Sequence, residues 1–219
     1  RNNYLARMDF IPNSNEVMIQ QLNRLQNKNK VWVGNAETMD IKNILTDVDD
    51  AFLDIHDNIM WLDNDQSFTW TSEKDGWMHL YKVSRDGKKM DVITKGDFDV
   101  VKINCIDPKG GYVYYIASPE NPTERYLYRS RIDGKGVAER ISPTDMVGHH
   151  AYQVSADAKW AIHTFQNVTT PNRISLVNLK KHFEAKKLVE NEEAKTRYGN
   201  LGLNPKEFFV NHHLSHMIN

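Results

Sequence analysis

The chain has 219 residues, of which 40% are hydrophobic and 26% charged, a balance that excludes a disordered chain and leaves room for one large all-β domain or two small ones. Twenty-eight basic against 29 acidic residues give a net charge of −1, so neither nucleic acid nor an acidic membrane surface is an expected partner. No apolar run reaches the roughly 18 residues of a membrane span, and the single Cys105 rules out an internal disulfide.

The start, Arg1-Asn2-Asn3-Tyr4, has no initiator methionine or signal peptide and is read as a cut within a longer polypeptide. From there the chain can be laid against itself in four copies. The first has an apolar stretch at 4–11, a turn at Pro12-Asn13-Ser14-Asn15, and strands at 17–19, 31–33 and 44–45. The second has an apolar stretch at 52–62, a turn at Asp63-Asn64-Asp65-Gln66, and strands at 68–70, 80–83 and 92–94. The third runs 100–106, turns at Asp107-Pro108-Lys109-Gly110, and continues at 112–116, 127–129 and 140–142. The fourth runs 151–154, turns at Ser155-Ala156-Asp157-Ala158, and continues at 160–163, 174–177 and 187–189.

The third strands begin at Val31, Leu80, Leu127 and Ile174, spaced 49, 47 and 47 residues apart. Four short strands in each period of roughly 40–50 residues predict an all-β fold, a β-propeller of about four four-stranded antiparallel blades. Asp86-Gly87 and Asp133-Gly134 follow two of these strands, and the dipeptide favours a type I′ hairpin turn. Blade bounds of about 1–48, 49–97, 98–147 and 148–204 are expected, as an open arc with two exposed faces. One helix is predicted at 191–198, capped by Asn191, with Glu192-Glu193 in its first turn and Gly199 as its stop. Residues 205–219 read as the start of a linker to a further domain, with a new strand at 205–210.

Candidate chemistry is sparse. None of the serines carries the flanking glycines of a Gly-x-Ser-x-Gly elbow, so no catalytic residue is assigned. His212, His213 and His216 lack the His-Glu-x-x-His pattern of a zinc helix, and Asp63-Asn64-Asp65-Gln66-Ser67 lacks the glycine and distal glutamate of a calcium loop. No metal and no cofactor is therefore expected. Cys105 reads as a small core residue, His149-His150 as a pair at a blade edge, and Asn167-Val168-Thr169 as a formal glycosylation sequon. Trp32, Trp61, Trp70, Trp77 and Trp160 are assigned to packing between blades.

Several stretches carry a family resemblance. Ser72-Glu73-Lys74-Asp75-Gly76-Trp77-Met78-His79-Leu80-Tyr81 continues through Ile93-Thr94-Lys95-Gly96-Asp97-Phe98-Asp99-Val100. Gly111-Tyr112-Val113-Tyr114-Tyr115-Ile116-Ala117-Ser118 and Tyr126-Leu127-Tyr128 follow at the expected distance. With Tyr4-Leu5-Ala6-Arg7-Met8-Asp9-Phe10 and Gln20-Gln21-Leu22-Asn23-Arg24-Leu25-Gln26-Asn27, they resemble the N-terminal propeller domain of dipeptidyl peptidase IV and its bacterial relatives. The resemblance implies that these blades are half of an eight-bladed propeller, followed on the same polypeptide by an α/β-hydrolase domain with a Ser-Asp-His triad. It implies peptide substrates cleaved after the second residue, a propeller that gates access to them, and a homodimer of the full-length protein. With so little cysteine, it implies a bacterial, periplasmic or secreted version. Whether the parent is an active enzyme, an inactive homologue, or a stand-alone interaction module stays open at this point.

The family also places an aromatic and a basic residue on a substrate-facing loop. The matching stretch is Phe52-Leu53-Asp54-Ile55-His56-Asp57, where the pair falls on His56-Asp57 or Leu53-Asp54. Neither is aromatic and basic, so Asp54, His56 and Asp57 are only weak substrate-lining candidates, and an ordinary inner strand is the competing expectation.

Overall fold

The computed structural model of the chain describes residues 3–55 and 57–202. The expected linker over 205–219, its histidines, and His56 lie outside them. Sixteen strands fall into four antiparallel sheets of four, each in simple chain order. Blade I is β1 (Asn3–Phe10), β2 (Glu16–Asn23), β3 (Lys28–Asn35) and β4 (Ile41–Val48). Blade II is β5 (Trp61–Leu62), β6 (Ser67–Ser72), β7 (His79–Ser84) and β8 (Met90–Val92). Blade III is β9 (Val100–Asp107), β10 (Tyr112–Ala117), β11 (Tyr126–Arg131) and β12 (Glu139–Arg140). Blade IV is β13 (His149–Val154), β14 (Trp160–Asn167), β15 (Thr170–Asn178) and β16 (Phe183–Val189), after which α1 (Glu192–Asn200) follows.

The hydrophobic core lies between the sheets rather than within one. One cluster joins Met18, Val31 and Ile44 of blade I to Phe68, Trp70 and Tyr81 of blade II. A second joins Leu80 of blade II to Val113, Tyr115 and Tyr128 of blade III. A third joins Tyr114, Ile116 and Leu127 of blade III to Tyr152, Ala161 and Val177 of blade IV. A sheet whose two faces are both apolar needs a neighbour on each side, and burying an aromatic or branched side chain this way stabilises by about 1.5–3 kcal/mol. Hydrogen bonds between blades likewise join neighbours, such as Trp70 to Asp47, Lys95 to Gly134, and Asn104 to Tyr152. The blades form an open arc, and its end faces expose Leu5, Met8 and Phe10 on blade I and Trp160 and Phe183 on blade IV. The tryptophans divide accordingly: Trp70 is fully buried between blades I and II, Trp61 packs against the same cluster, and Trp77 and Trp160 are exposed.

Four local expectations need correction. First, only Trp61–Leu62 of the stretch 52–62 is strand. Asp49 Oδ1 accepts from the N–H groups of Ala51 and Phe52, which bends the chain away. The Thr69 hydroxyl then accepts from Met60 N–H (2.8 Å) and donates to the Asn58 carbonyl (2.7 Å), so that beyond the one backbone bond from Thr69 N–H to the Met60 carbonyl a side chain stands in for the ladder. Second, the fourth strands of blades II and III stop early for the same reason. Thr94 Oγ1 accepts from Leu80 N–H and Ser142 Oγ from Leu127 N–H, equivalent places in the repeat.

Third, the Asp-Gly hairpins are not type I′. Gly87 and Gly134 have positive φ, at 73° and 67°, and their aspartates do not. Gly87 N–H bonds to the Ser84 carbonyl and Gly134 N–H to that of Arg131, the pattern of a type I turn closed by a left-handed glycine. Fourth, Asn191, just before α1, makes no side-chain cap: its backbone is left-handed (φ 52°) rather than extended as a cap requires, and its Nδ2 donates to the Asn172 carbonyl. Gly199 lies within the helix, and Gly202, with φ 63°, supplies the left-handed stop.

Candidate functional site

The segment entering blade II runs against β1, and an ion pair fastens the two. Arg7 Nε donates to Asp57 Oδ1 at 2.5 Å and Nη2 to Oδ2 at 3.1 Å, the planar fork matching the carboxylate. Arg7 sits at a register break in β1 between Leu5 and Arg7, and such a bulge re-aims the side chain that follows it. The bond from Asp57, and then its charge, hold the Arg7 guanidinium more tightly protonated than usual. Both side chains are about half exposed or more, so the pair fixes geometry more than it stabilises. Asp57→Asn is expected to leave the melting temperature essentially unchanged in a thermal scan. A drop of several degrees would show that the pair supports the fold.

Around this pair lies a groove of about 650 Å³, bordered by Asp9, Phe10, Met60 and Trp61. It shares Pro12, Trp61 and Asp65 with a larger rim groove of about 950 Å³ built from the turns of blades I, II and III. The rim charges are paired. Asn13 donates to Asp65 (3.0 Å), and Arg85 bonds Glu16 and the Asp65 carbonyl while lying over the Trp61 ring. Lys82 meets Asp63 at 2.6 Å, and Ser67 donates to the same carboxylate, which together hold Asp63 below the usual carboxylate range. The turn that carries these acids is left-handed at Asp63, Asn64 and Asp65, a conformation that costs about 1–2 kcal/mol per residue. Among the described residues lining the two grooves, Ser14 is the one hydroxyl nucleophile and there is no histidine.

The three sequence candidates do not share a setting. Asp57 joins Arg7 in the groove. Asp54 is exposed, and its charge adds to those of Asp49, Asp99 and Asp47 which, after burial, raise the pKa of Glu73. His56 lies outside the described residues. Sequence reasoning missed Arg7, Phe10 and Trp61 as groove residues. The available signal was a lone arginine interrupting the apolar run 4–11.

Other motifs resolve plainly. Cys105 is half-buried against the core between blades III and IV, and burial pushes its thiol pKa up. Residues 63–66 form a turn. Asn167 Nδ2 donates to the Val147 carbonyl, while Thr169 bonds Asn167 Oδ1. His149 is exposed with Nε2 at 2.8 Å from the Thr123 carbonyl, whereas His150 is deeply buried, contrary to the expected edge pair.

Comparison with known proteins places this geometry among relatives. The family described as the dipeptidyl peptidase IV (DPP IV) N-terminal region matches residues 1–172. A probable dipeptidyl-aminopeptidase B of Coccidioides posadasii is 35% identical over 103 residues, 46% of this chain and 11% of that protein. The one from Emericella nidulans is 26% identical over 169 residues, 71% of this chain and 18% of that protein. The crystal structure of Porphyromonas gingivalis dipeptidyl peptidase 4 superposes with a TM-score of 0.75 at 28% identity, covering 88% of this chain and 28% of that one. A putative dipeptidyl aminopeptidase IV from Bacteroides ovatus gives a TM-score of 0.72 at 20% identity, covering 86% of this chain and 29% of that one, a likeness of fold. The chain thus spans less than a third of the length of each of these proteins.

Proposed function

Because the chain belongs to the family of dipeptidyl peptidase IV N-terminal regions, we propose that it is the non-catalytic propeller portion of a serine-type dipeptidyl peptidase. In this reading the blades gate and dock peptide substrates, and an α/β-hydrolase domain on the same polypeptide performs the hydrolysis. The observation that carries it is the family match across 1–172, which takes in all of blades I to III and the start of blade IV. The groove around Arg7 and Asp57 supports docking: it offers Phe10, Met60 and Trp61 for apolar side chains and fixed charges for peptide termini. Asp54, His56 and Asp57 remain the proposed substrate-lining positions. A periplasmic or secreted bacterial protein, with the full-length form a homodimer, completes the proposal. Two bacterial structural relatives favour that source. Among the described residues no helix is long and apolar enough to cross a membrane.

The test is cleavage of a chromogenic Gly-Pro substrate by the chain alone and by the longer polypeptide that contains it. Turnover by the longer form and none by the chain is expected. An inactive longer polypeptide would instead assign an inactive homologue, and a reading frame that stops after these blades a stand-alone interaction module. Cleavage by the chain itself would overturn the assignment of a non-catalytic role.

A further inference from the structure

Blade IV carries a buried polar array that the docking reading does not use. On β13, His150 and Tyr152 point to one face; on β14, His163 and Phe165 pair with them across the ladder. His150 is 2% exposed and His163 3%. The rings of His150 and His163 stack at 5.1 Å, and those of Tyr152 and His163 at 4.5 Å, each within 8° of parallel. His182, left-handed at φ 47° in the loop before β16, turns its ring edge onto His163 at 4.9 Å. Its Nε2 lies 2.7 Å from the Tyr152 hydroxyl. This face packs on blade III, with Tyr126 5.5 Å from His150, so the array lies in the junction between blades III and IV.

Hydrogen counting limits what the pair can hold. His150 Nε2 is 2.8 Å from the Met146 carbonyl, which only accepts, so that nitrogen carries a hydrogen. His150 Nδ1 faces His163 Nε2 at 2.9 Å, a gap with room for one hydrogen. The neutral arrangement is therefore His163 donating to His150 and His150 donating to Met146. One added proton leaves a buried cation; a second puts two N–H groups head to head.

We propose that the junction between blades III and IV is an acid-operated seam, held closed while His150 and His163 are neutral and forced open when they take up protons. The inference needs only the fold and is independent of the peptidase reading.

The charged neighbours work in the same direction. Burial is the largest cause lowering both imidazoles, His150 to about 4 and His163 to about 3. His182 opposes a charge on either one, joined by Arg140 from β12 and His149 from β13 at His150, and by Arg173 from β15 at His163. Burial lowers His182 as well, and Glu184 on β16 offsets that only in part. Lys187 and Glu190, bonded to each other, and Arg173 line a cavity of about 120 Å³ beside His163 and His182. From blade III, Glu124 faces inward but is bonded by the Tyr126 hydroxyl. The folded pKa values lie below the ordinary 6.5, so the open form binds more protons. The closed seam keeps its full stability above pH 6.5 and loses it as pH falls from there, down to about 4 for the part owed to His150 and about 3 for the part owed to His163. At pH 5 a solvent-exposed imidazole is about 30-fold more protonated than neutral, so each histidine raises the opening constant about 30-fold relative to pH 8.

Hydrogen exchange on the whole chain, corrected for the intrinsic rate at each pH, reads this directly. Amides of β11, β13 and β14 should lose protection by at least 30-fold between pH 8 and 5, while those of β2, β3 and β6 keep theirs. His163→Phe, which keeps a ring in the stack, should remove part of the dependence, and His150→Phe with His163→Phe most of it. Imidazole nitrogen resonances supply a second readout that needs no variant: both rings should remain neutral in the closed form at pH 5.5. Protection independent of pH, a full acid response in the double variant, or charged rings in the closed form would each overturn the proposal.

Discussion

Replacing Gly87 by alanine should destabilise the fold by about 3 kcal/mol, the larger part from a clash between blades and the rest from backbone strain. A methyl group at Gly87 would stand 1.6 Å from the Ile44 carbonyl oxygen of β4, with no flexible side chain there to give way. The backbone at Gly87 also has φ 73°, which costs a residue with a Cβ about 1–2 kcal/mol. Gly134 repeats the arrangement one blade on, its added methyl 2.7 Å from the Val92 carbonyl oxygen. Gly134→Ala should therefore be less damaging than Gly87→Ala. Gly76 separates the two causes, since it has φ 96° but open space around it. Gly76→Ala should cost only the conformational part, about 1–2 kcal/mol. Denaturant titrations of the three variants give the order Gly87, Gly134, Gly76. Equal losses at all three would mean that the hairpins do not lean on the preceding blade.

This ordering changes what the Asp-Gly dipeptides mean. Read as a local signal, they promise a two-residue hairpin. In the folded chain the glycine of each Asp-Gly pair, and not its aspartate, adopts the left-handed conformation, and the missing side chain lets each blade approach the outer strand of the one before it. The periodic part of the fold was legible because turns and apolar runs are local: the turns near 13, 64, 109 and 156 and the strands after them fall where spacing placed them. The irregular part was not. The stretch 52–62 has strand-like composition, but Asp49 and Thr69 divert its backbone bonds to side chains, a contest that composition does not register. The groove was hidden for a different reason. Arg7 and Asp57 are 50 residues apart, and only the packing of β1 against the next blade brings them together. The histidine array had a partial signal in the alternation His150, Tyr152 and His163, Phe165, but its third ring, His182, comes from a loop.

The junction between blades I and II should prove sensitive to Asp47. This residue, near the end of β4, is 6% exposed and accepts two bonds from blade II: Trp70 Nε1–H at 2.9 Å and Ser72 Oγ–H at 2.9 Å. Asp47→Ala should cost about 3 kcal/mol, because net bonds to a carboxylate contribute about 1.5–3 kcal/mol each and the donors remain in a buried site. Asp47→Asn should lose much less, since the amide oxygen can still accept from the indole and the Ser72 hydroxyl can turn to accept from the amide. A double-mutant cycle with Ser72→Ala isolates the interaction itself: groups in contact should show a coupling of about 1–2 kcal/mol. If the two losses simply add, the bond to Ser72 contributes nothing and the loss at Asp47 belongs to its bond with Trp70 and to packing. The size of that coupling also bears on how the arc coheres, because the core between these blades is apolar and non-directional, while a carboxylate gripped by an indole and a hydroxyl admits one register. An Asp47→Ala chain that kept its stability but exposed Trp70 to a quencher would show that apolar packing holds the blades together and the carboxylate sets their alignment.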